Sequence, residues 1–414
     1  QPTRAGPVAR FLWALKRLGW QVGEHAYMVQ RRNGLPLHIL ECDASLFSHF
    51  IREDMRLALW QEAARRRPDM AGCDAPQGID RDATLSFATS TRGMKRRRAR
   101  TILTGAIDTR KRRHRRGRAI HPLCFGCGPA TETTRHMLHE CHWFRDARED
   151  LEAVCQDMPP CTVECGIVLD DPAVLESEQR LERMQEAPVV PTTPSPADSR
   201  DADGHTIIFT DGACKRQRLA RLRRAGAGLF YGQNHHENKA WPLPGIRQSN
   251  QRAELWAVVR AMEENQRPIH IYTDSAYVHD NFHRWRHWRH RGWQGDHADL
   301  WLRLSRCLSP HPQRVKVSKV KAHLTWQHVS AGLISAENKI GNAGADRLAG
   351  AGADMHDALV GLEERARNRK AKARKRHRLM VQILEERDLM YQELPQNVVG
   401  PPNRFLRNVR RRGA

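Results

Sequence analysis

Apolar positions recur along this chain in two different periods, and the change of period divides it. Over residues 1–117, segments such as VARFLWALKRLGW and FSHFIREDMRLALWQEAARRR repeat apolar residues every three or four positions. That spacing gives a helix one stripe to bury, so this part is expected to be mainly helical and basic. From residue 205 the pattern shortens. The runs HTIIFT (205–210), GAGLFYG and HENKAWPL read as strands, followed by a helix over 251–265 and a strand over 268–274. RVKVSKVKAH (314–323) alternates basic and apolar residues, as a half-exposed strand does. Strands and helices in this order predict an α/β domain, a mixed sheet with helices packed on it.

The segments between and after these regions are read from composition. Residues 118–146 hold a Cys/His cluster. Residues 147–204 are acidic and end in APVVPTTPSPADSRDADG, the composition of a linker. In 354–414, EERARNRKAKARKRHRLMVQILEERDLM reads as a long basic helix and the remainder as a disordered tail. The expected domains are therefore 1–117, 118–146, 147–204, 205–353 and 354–414.

Charge narrows the class of partner. Lys and Arg outnumber Asp and Glu by 69 to 47 in 414 residues, a net charge of +22. The blocks KRRRAR (95–100) and RKRRHRRGR (110–118) concentrate it, which is the footprint of a protein that binds nucleic acid through its phosphates. No apolar run reaches the ~18 residues of a membrane span, so no membrane partner is expected. No secretory signal is visible and the ten cysteines suit reduced thiols and metal ligation, so an intracellular protein, nuclear or cytoplasmic, is expected. The chain opens on Gln1 rather than Met, which suggests a piece of a longer reading frame.

Four acidic residues carry the candidate chemistry: Asp211 in IIFTDGAC, Glu254 in SNQRAELWAV, Asp274 in IYTDSAYV and Asp346 in GNAGADRLAG. Two end strand-like runs, one opens an amphipathic helix, and the fourth falls in a Gly/Ala-rich helix start. Carboxylates at the ends of parallel strands project into the crevice where open α/β sheets hold ligands. Several in one crevice repel each other unless cations lie between them. Hard divalent cations answer that need, Mg²⁺ first, with Mn²⁺ able to substitute.

These four settings, in this order, resemble the type 1 ribonuclease H family over about residues 205–353. The resemblance implies a five-stranded mixed sheet with flanking helices, and a two-metal endonuclease that cuts the RNA strand of RNA–DNA hybrids. It makes Asp211, Glu254, Asp274 and Asp346 the Mg²⁺ ligands. VKAH around His323 is similar to the family's catalytic-histidine segment, although the 23 positions from His323 to Asp346 are a longer connection than usual. His328 and Glu337 lie within that stretch. RWRHWRHRGWQGDHADLW (284–301) resembles the family's basic handle, with Trp285, Trp288 and Trp293 expected to pack on a DNA strand or, for at least one of them, on the core. Arg247 and Ser249 match phosphate-pocket positions, and Asn250 and Gln251 match readers of the RNA 2′-hydroxyl. The turn after Asp211 departs from the pattern: KRQRLARLRR replaces small residues, with Gln217 near the expected Asn.

Cys124, Cys127, His136 and Cys141 form C-x₂-C followed by H-x₄-C, a tetrahedral zinc spacing, and one structural Zn²⁺ is expected. With RHMLHECHWFRDAR this segment resembles the zinc motif downstream of reverse transcriptases in non-LTR retrotransposons. Two functions are carried forward. One is a hybrid-specific ribonuclease from a retrotransposon-type polyprotein or a derivative of one. The other is a nucleic-acid-binding protein of the same origin whose nuclease is inactive.

Overall fold

Short apolar runs become strands and stripe-bearing segments become helices. The structure, a computed structural model, describes residues 6–393 apart from 24, 26, 216–218, 293–294, 323 and 358. The chain begins with α1 (Pro7–Arg17), β1 (Gln21–Val22), β2 (Met28–Gln30), β3 (Pro36–His38) and α2 (Ala44–Arg66). It continues through α3 (Arg81–Ser90), α4 (Gly93–Leu103), α5 (Arg110–Arg115), α6 (Arg145–Ala153), α7 (Pro160–Cys165) and α8 (Pro172–Arg183). Next come β4 (Thr206–Lys215), β5 (Arg224–Phe230), β6 (Lys239–Pro242), α9 (Asn250–Glu264), β7 (Ile269–Thr273), α10 (Ala276–Phe282), α11 (Trp285–His290) and α12 (Ala298–Leu308). The last elements are β8 (Val315–Lys319), α13 (Trp326–Ser330), α14 (Ala336–Asp354) and α15 (Leu362–Glu393). Three helices, α6 to α8, occupy much of the stretch whose composition suggests a linker.

The chain forms two units, residues 1–55 with 173–363 and residues 56–172 with 364–414. The first contains the large sheet, in the order β6-β5-β4-β7-β8. β5 and β6 run antiparallel, β4 is antiparallel to β5, and β4, β7 and β8 are parallel. One face of the sheet packs Ile208, Ile271 and Val317 against Leu255, Trp256, Val259 and Met262 of α9. On the other, Ala345 and Leu348 of α14 meet Phe209 and Phe230. The close seat of α14 needs small residues: a Cβ on Gly228 would lie 2.5 Å from both the Ala345 carbonyl oxygen and the Ala349 amide.

The same unit carries the N-terminal module. Its α1 and the first half of α2 flank the small antiparallel sheet β1-β2-β3, and Leu15, Trp20, Val29 and Phe50 form its core. The N-terminal region is mainly helical, but these strands are two or three residues long and leave no alternation to read.

In the second unit, Leu379, Met380, Val381, Ile383 and Leu384 of α15 share a core with Ile102, Met137, Leu138, Phe144 and Leu151. Several residues of the basic blocks serve this core. Arg110 is fully buried with its guanidinium over the Phe125 ring, and Arg98 pairs with Glu385 and Asp388. Arg387 is buried against Glu132 at 2.8 Å. Among the described residues no helix is long and apolar enough to cross a membrane.

Candidate active site

The crevice is built where β7 ends beside the middle of β4, which does not stop at Thr-Asp as its apolar run suggested but continues to Lys215, paired with β5. Thr210 pairs in parallel register with Thr273, which places Asp211 and Asp274 next to each other just beyond them. Glu254 comes from the second turn of α9, held down by the contact of α9 on Gly212. Carboxylate oxygens of Asp211, Glu254 and Asp274 all lie within 4.8 Å of one another. Asp346 lines the same cavity from α14. It stands in the middle of that helix, not at its start as the Gly/Ala-rich pattern suggested, because α14 already begins at Ala336.

Electrostatics set the carboxylates of the cluster against one another. Burial, and then the neighbouring Asp274, push the Asp211 carboxyl up to about 8, with Asp346 and Glu254 adding to the effect and the Gly212 N–H bond opposing it. Glu254 is raised by burial and by Asp274, against hydrogen bonds from Ser275 and Asn250. Asn250 donates to Glu254 Oε1 at 2.5 Å, and the Ser275 hydroxyl donates to Oε2. Acidic groups in this condition keep a proton or take a cation. The donor set, all oxygen and confined to one crevice, fits Mg²⁺.

The structure adds cavity residues that sequence reasoning passed over. Lys321, Lys339 and Asn342 line the crevice with the acids, and Asn342 Nδ2 is 3.5 Å from Asp274 Oδ2. Lys339, Asn342 and Asp346 follow a helical i, i+3, i+7 spacing, which could have revealed them once 336–354 was read as one helix. Lys339 also lies over the Trp326 ring at 5.3 Å.

Other expected site residues fall in varied places. Ser249 is the N-cap of α9, its hydroxyl accepting the Arg252 amide at 3.3 Å, and Gln251 is exposed. Arg247 faces Asp43, with Nη1 3.0 Å from Oδ1. Trp285 is buried and packs in the main core, the alternative expected for at least one of the three tryptophans, and its ring is spent on apolar contact. Trp288 packs against the same core and is half-buried. His328 forms a capping box with Thr325 on α13, and Glu337 stands in the first turn of α14. His323, Trp293 and Gln217 lie outside the described residues.

A second cluster lies in the other unit. One ligand atom each from Cys124, Cys127, His136 and Cys141 falls within a 4.8 Å set. The turn joining the first two is closed by the Gly128 amide on the Cys124 carbonyl at 2.9 Å. The sulfur separations, 3.7 Å for Cys124–Cys141 and 3.5 Å for Cys127–Cys141, approach the edge of about 3.8 Å that tetrahedral Zn–S bonds require. His136 Nε2 is buried with no hydrogen-bond partner, while Nδ1 faces Glu140 at 3.6 Å. An imidazole with one bare nitrogen inside and a carboxylate behind the other is oriented as a metal ligand. The Cys124 and Cys141 thiols share a hydrogen bond that pushes Cys124 down and Cys141 up, so the pair holds its protons unequally.

Known proteins match the part of the chain that carries the large sheet. The family described as RNase H matches residues 203–354. The chain is 35% identical over 151 residues to the ribonuclease H of Dechloromonas aromatica (strain RCB), covering 34% of this chain and 90% of that protein. It is 31% identical over 179 residues to ribonuclease H1 of Homo sapiens, covering 40% of this chain and 57% of that protein. It spans 39% of the rat ribonuclease H1. The solution structure of the PFV RNase H domain aligns with 37% of this chain and 98% of its own at 25% identity, with a TM-score of 0.30. With nine-tenths of a relative covered at this identity, the chain belongs to the ribonuclease H family.

Proposed function

We propose that this protein is a divalent-metal-dependent endonuclease that hydrolyses the RNA strand of RNA–DNA hybrids. The observation that carries the proposal is the convergence of Asp211, Glu254 and Asp274 within 4.8 Å, with Asp346 lining the same cavity. These four carboxylates would hold the catalytic ions, two Mg²⁺ in the fullest form. Bound there, the ions supply a nucleophilic water and charge stabilisation for the leaving oxygen of a phosphodiester. The protein's own part is placement. Ser275 and Asn250 fix the Glu254 carboxylate, Asn342 stands against Asp274, and Lys321 and Lys339 add positive charge where phosphate charge builds.

Selectivity for RNA would rest on Asn250 and Gln251 at the exposed start of α9, since the 2′-hydroxyl distinguishes RNA from DNA at a site. Exposed members of the basic blocks, among them Lys95, Arg96, Arg97 and Arg115, would add sequence-independent affinity for phosphates. Cys124, Cys127, His136 and Cys141 would hold one structural Zn²⁺. That motif ahead of a ribonuclease H domain supports an origin in a retrotransposon-type polyprotein. The test is cleavage of a labelled hybrid by wild type and by Asp274→Asn. Mg²⁺-dependent cutting by wild type alone, with hybrid binding kept by the variant, supports the proposal. Equal cutting by both refutes it.

A further inference from the structure

The Asp43 carboxylate fills a corner built to hold an anion. Arg247 Nη1 is 3.0 Å from Oδ1, and the amide of Ala298, the first residue of α12, donates to Oδ2 at 3.3 Å. The Ser45 hydroxyl bonds Asp43 Oδ1 at 2.8 Å and also contacts Arg247. A guanidinium beside the N-terminus of an eleven-residue helix is the donor set that receives a phosphate. The other acid nearby, Asp299, is already paired with Arg252 at 2.5 Å. The Asp43 side chain is 0% exposed, so the corner is fully occupied by the protein's own charge.

The corner adjoins the candidate active site. Arg247 lies in the turn leading into α9, three residues ahead of Asn250, which bonds Glu254. Asp43 is brought there by the N-terminal module, which is seated beside this turn. Ile246 packs on the module's core, Arg31 pairs with Glu182, and Glu41 with Arg306 at 3.1 Å. The pairing with Arg306 joins two exposed side chains, the kind of tie that contributes little stability and weakens with salt.

We propose that Asp43 is an internal phosphate mimic: it occupies the site at Arg247 and the start of α12 that a backbone phosphate of bound nucleic acid would take, and the strand must displace it. This inference rests on the reading of the domain as a hybrid-binding nuclease. Asp43 also has a structural duty, since Oδ1 accepts the amides of Ser45 at 2.8 Å and Leu46 at 3.0 Å and so caps α2. The two duties separate chemically. A neutral Asn or Ser caps a helix nearly as well as Asp, whereas only the charge competes with a phosphate for Arg247.

The experiment uses the full chain and a fluorescent RNA–DNA hybrid, with Ca²⁺ replacing Mg²⁺ so that binding is read by anisotropy without turnover. Asp43→Asn and Asp43→Ser should each bind about tenfold more tightly than wild type, as expected when an occluded state no longer dominates. Arg247→Ala should bind more weakly, and Asp43→Asn/Arg247→Ala should show no gain over Arg247→Ala. Unchanged or weaker binding by both Asp43 variants overturns the proposal, as does a gain that survives loss of Arg247. If wild type binds hybrid but never cuts it in Mg²⁺, the nuclease reading fails, and the anisotropy results still decide whether Asp43 competes with phosphate.

Discussion

The backbone of α9 rests directly on Gly212, so that a Cβ at that position would fall on the amide nitrogen of Glu254. This contact sets the spacing of two carboxylates, because Asp211 precedes Gly212 in β4 and Glu254 belongs to the turn that touches it. Gly212→Ala must lift α9 from the sheet. It should cost on the order of 3 kcal/mol of stability and weaken the gain in melting temperature expected on adding Mg²⁺. A variant that melts like wild type and responds to Mg²⁺ like wild type would show that the close approach is unimportant.

Asp211→Asn tests the electrostatics. The Asp211 carboxyl is raised to about 8 by burial and by Asp274, against an ordinary value of 3.8. Between those values the folded chain holds more protons than the unfolded one, so metal-free stability falls as pH rises through this window. Asn carries no charge to repel. Metal-free Asp211→Asn should therefore melt above wild type at pH 8, by on the order of 1–3 kcal/mol, while losing the response to Mg²⁺ and the cleavage activity. Calorimetry at pH 5 and pH 8 with a chelator checks this, and a lower melting temperature for the variant at pH 8 would count against it.

Much of this site was legible because its signals are local. Asp211 and Asp274 each end an apolar run in Thr-Asp, and Glu254 follows the polar cap of an amphipathic helix. The Cys and His residues of the second cluster are close in sequence, so their spacing carries the geometry. The remainder depends on contacts between distant segments. Asp43 looks like an ordinary loop acid until α12 and Arg247 arrive beside it. The apolar stripe of Leu379, Met380, Ile383 and Leu384 follows a dense run of Lys and Arg, and the core it joins comes from segments more than 200 residues earlier. Arg110 stands in a block whose density suggests phosphate binding, yet it is buried over an aromatic ring, and Arg387 is buried against a carboxylate.

His377 should make the second unit sensitive to acid. Burial pushes its pKa down to about 4, and Nε2 donates to the Gly166 carbonyl at 2.8 Å. Below about 6.5 the unfolded chain takes a proton that the folded chain refuses until near pH 4, so stability is lost as pH falls through that window, by about 2–3 kcal/mol. His377→Gln keeps a donor for Gly166 and cannot titrate. Denaturant unfolding at pH 7 and pH 4.5 should show a smaller loss for the variant. An identical loss in both proteins would remove His377 as the cause.

Zinc is the third chemical test. Freshly purified protein should contain about one Zn²⁺ per chain, and Cys141→Ser or His136→Ala should lose it. Chelation should lower the melting temperature, because Cys141 and Cys124 belong to the same core as Leu138 and Leu151. Wild type free of zinc, with a melt unmoved by chelator, would rule the site out.

Hybrid-specific, metal-dependent cleavage is open to one direct measurement. End-labelled RNA–DNA hybrid, RNA duplex and DNA duplex of one sequence are incubated with the full chain in Mg²⁺ and in chelator, and the products are sized. Cutting of the RNA strand of the hybrid alone, only with Mg²⁺ and leaving 3′-hydroxyl and 5′-phosphate ends, is the expected result. Cutting of the DNA duplex at a similar rate, or intact hybrid in Mg²⁺ at protein concentrations that saturate binding, would contradict it.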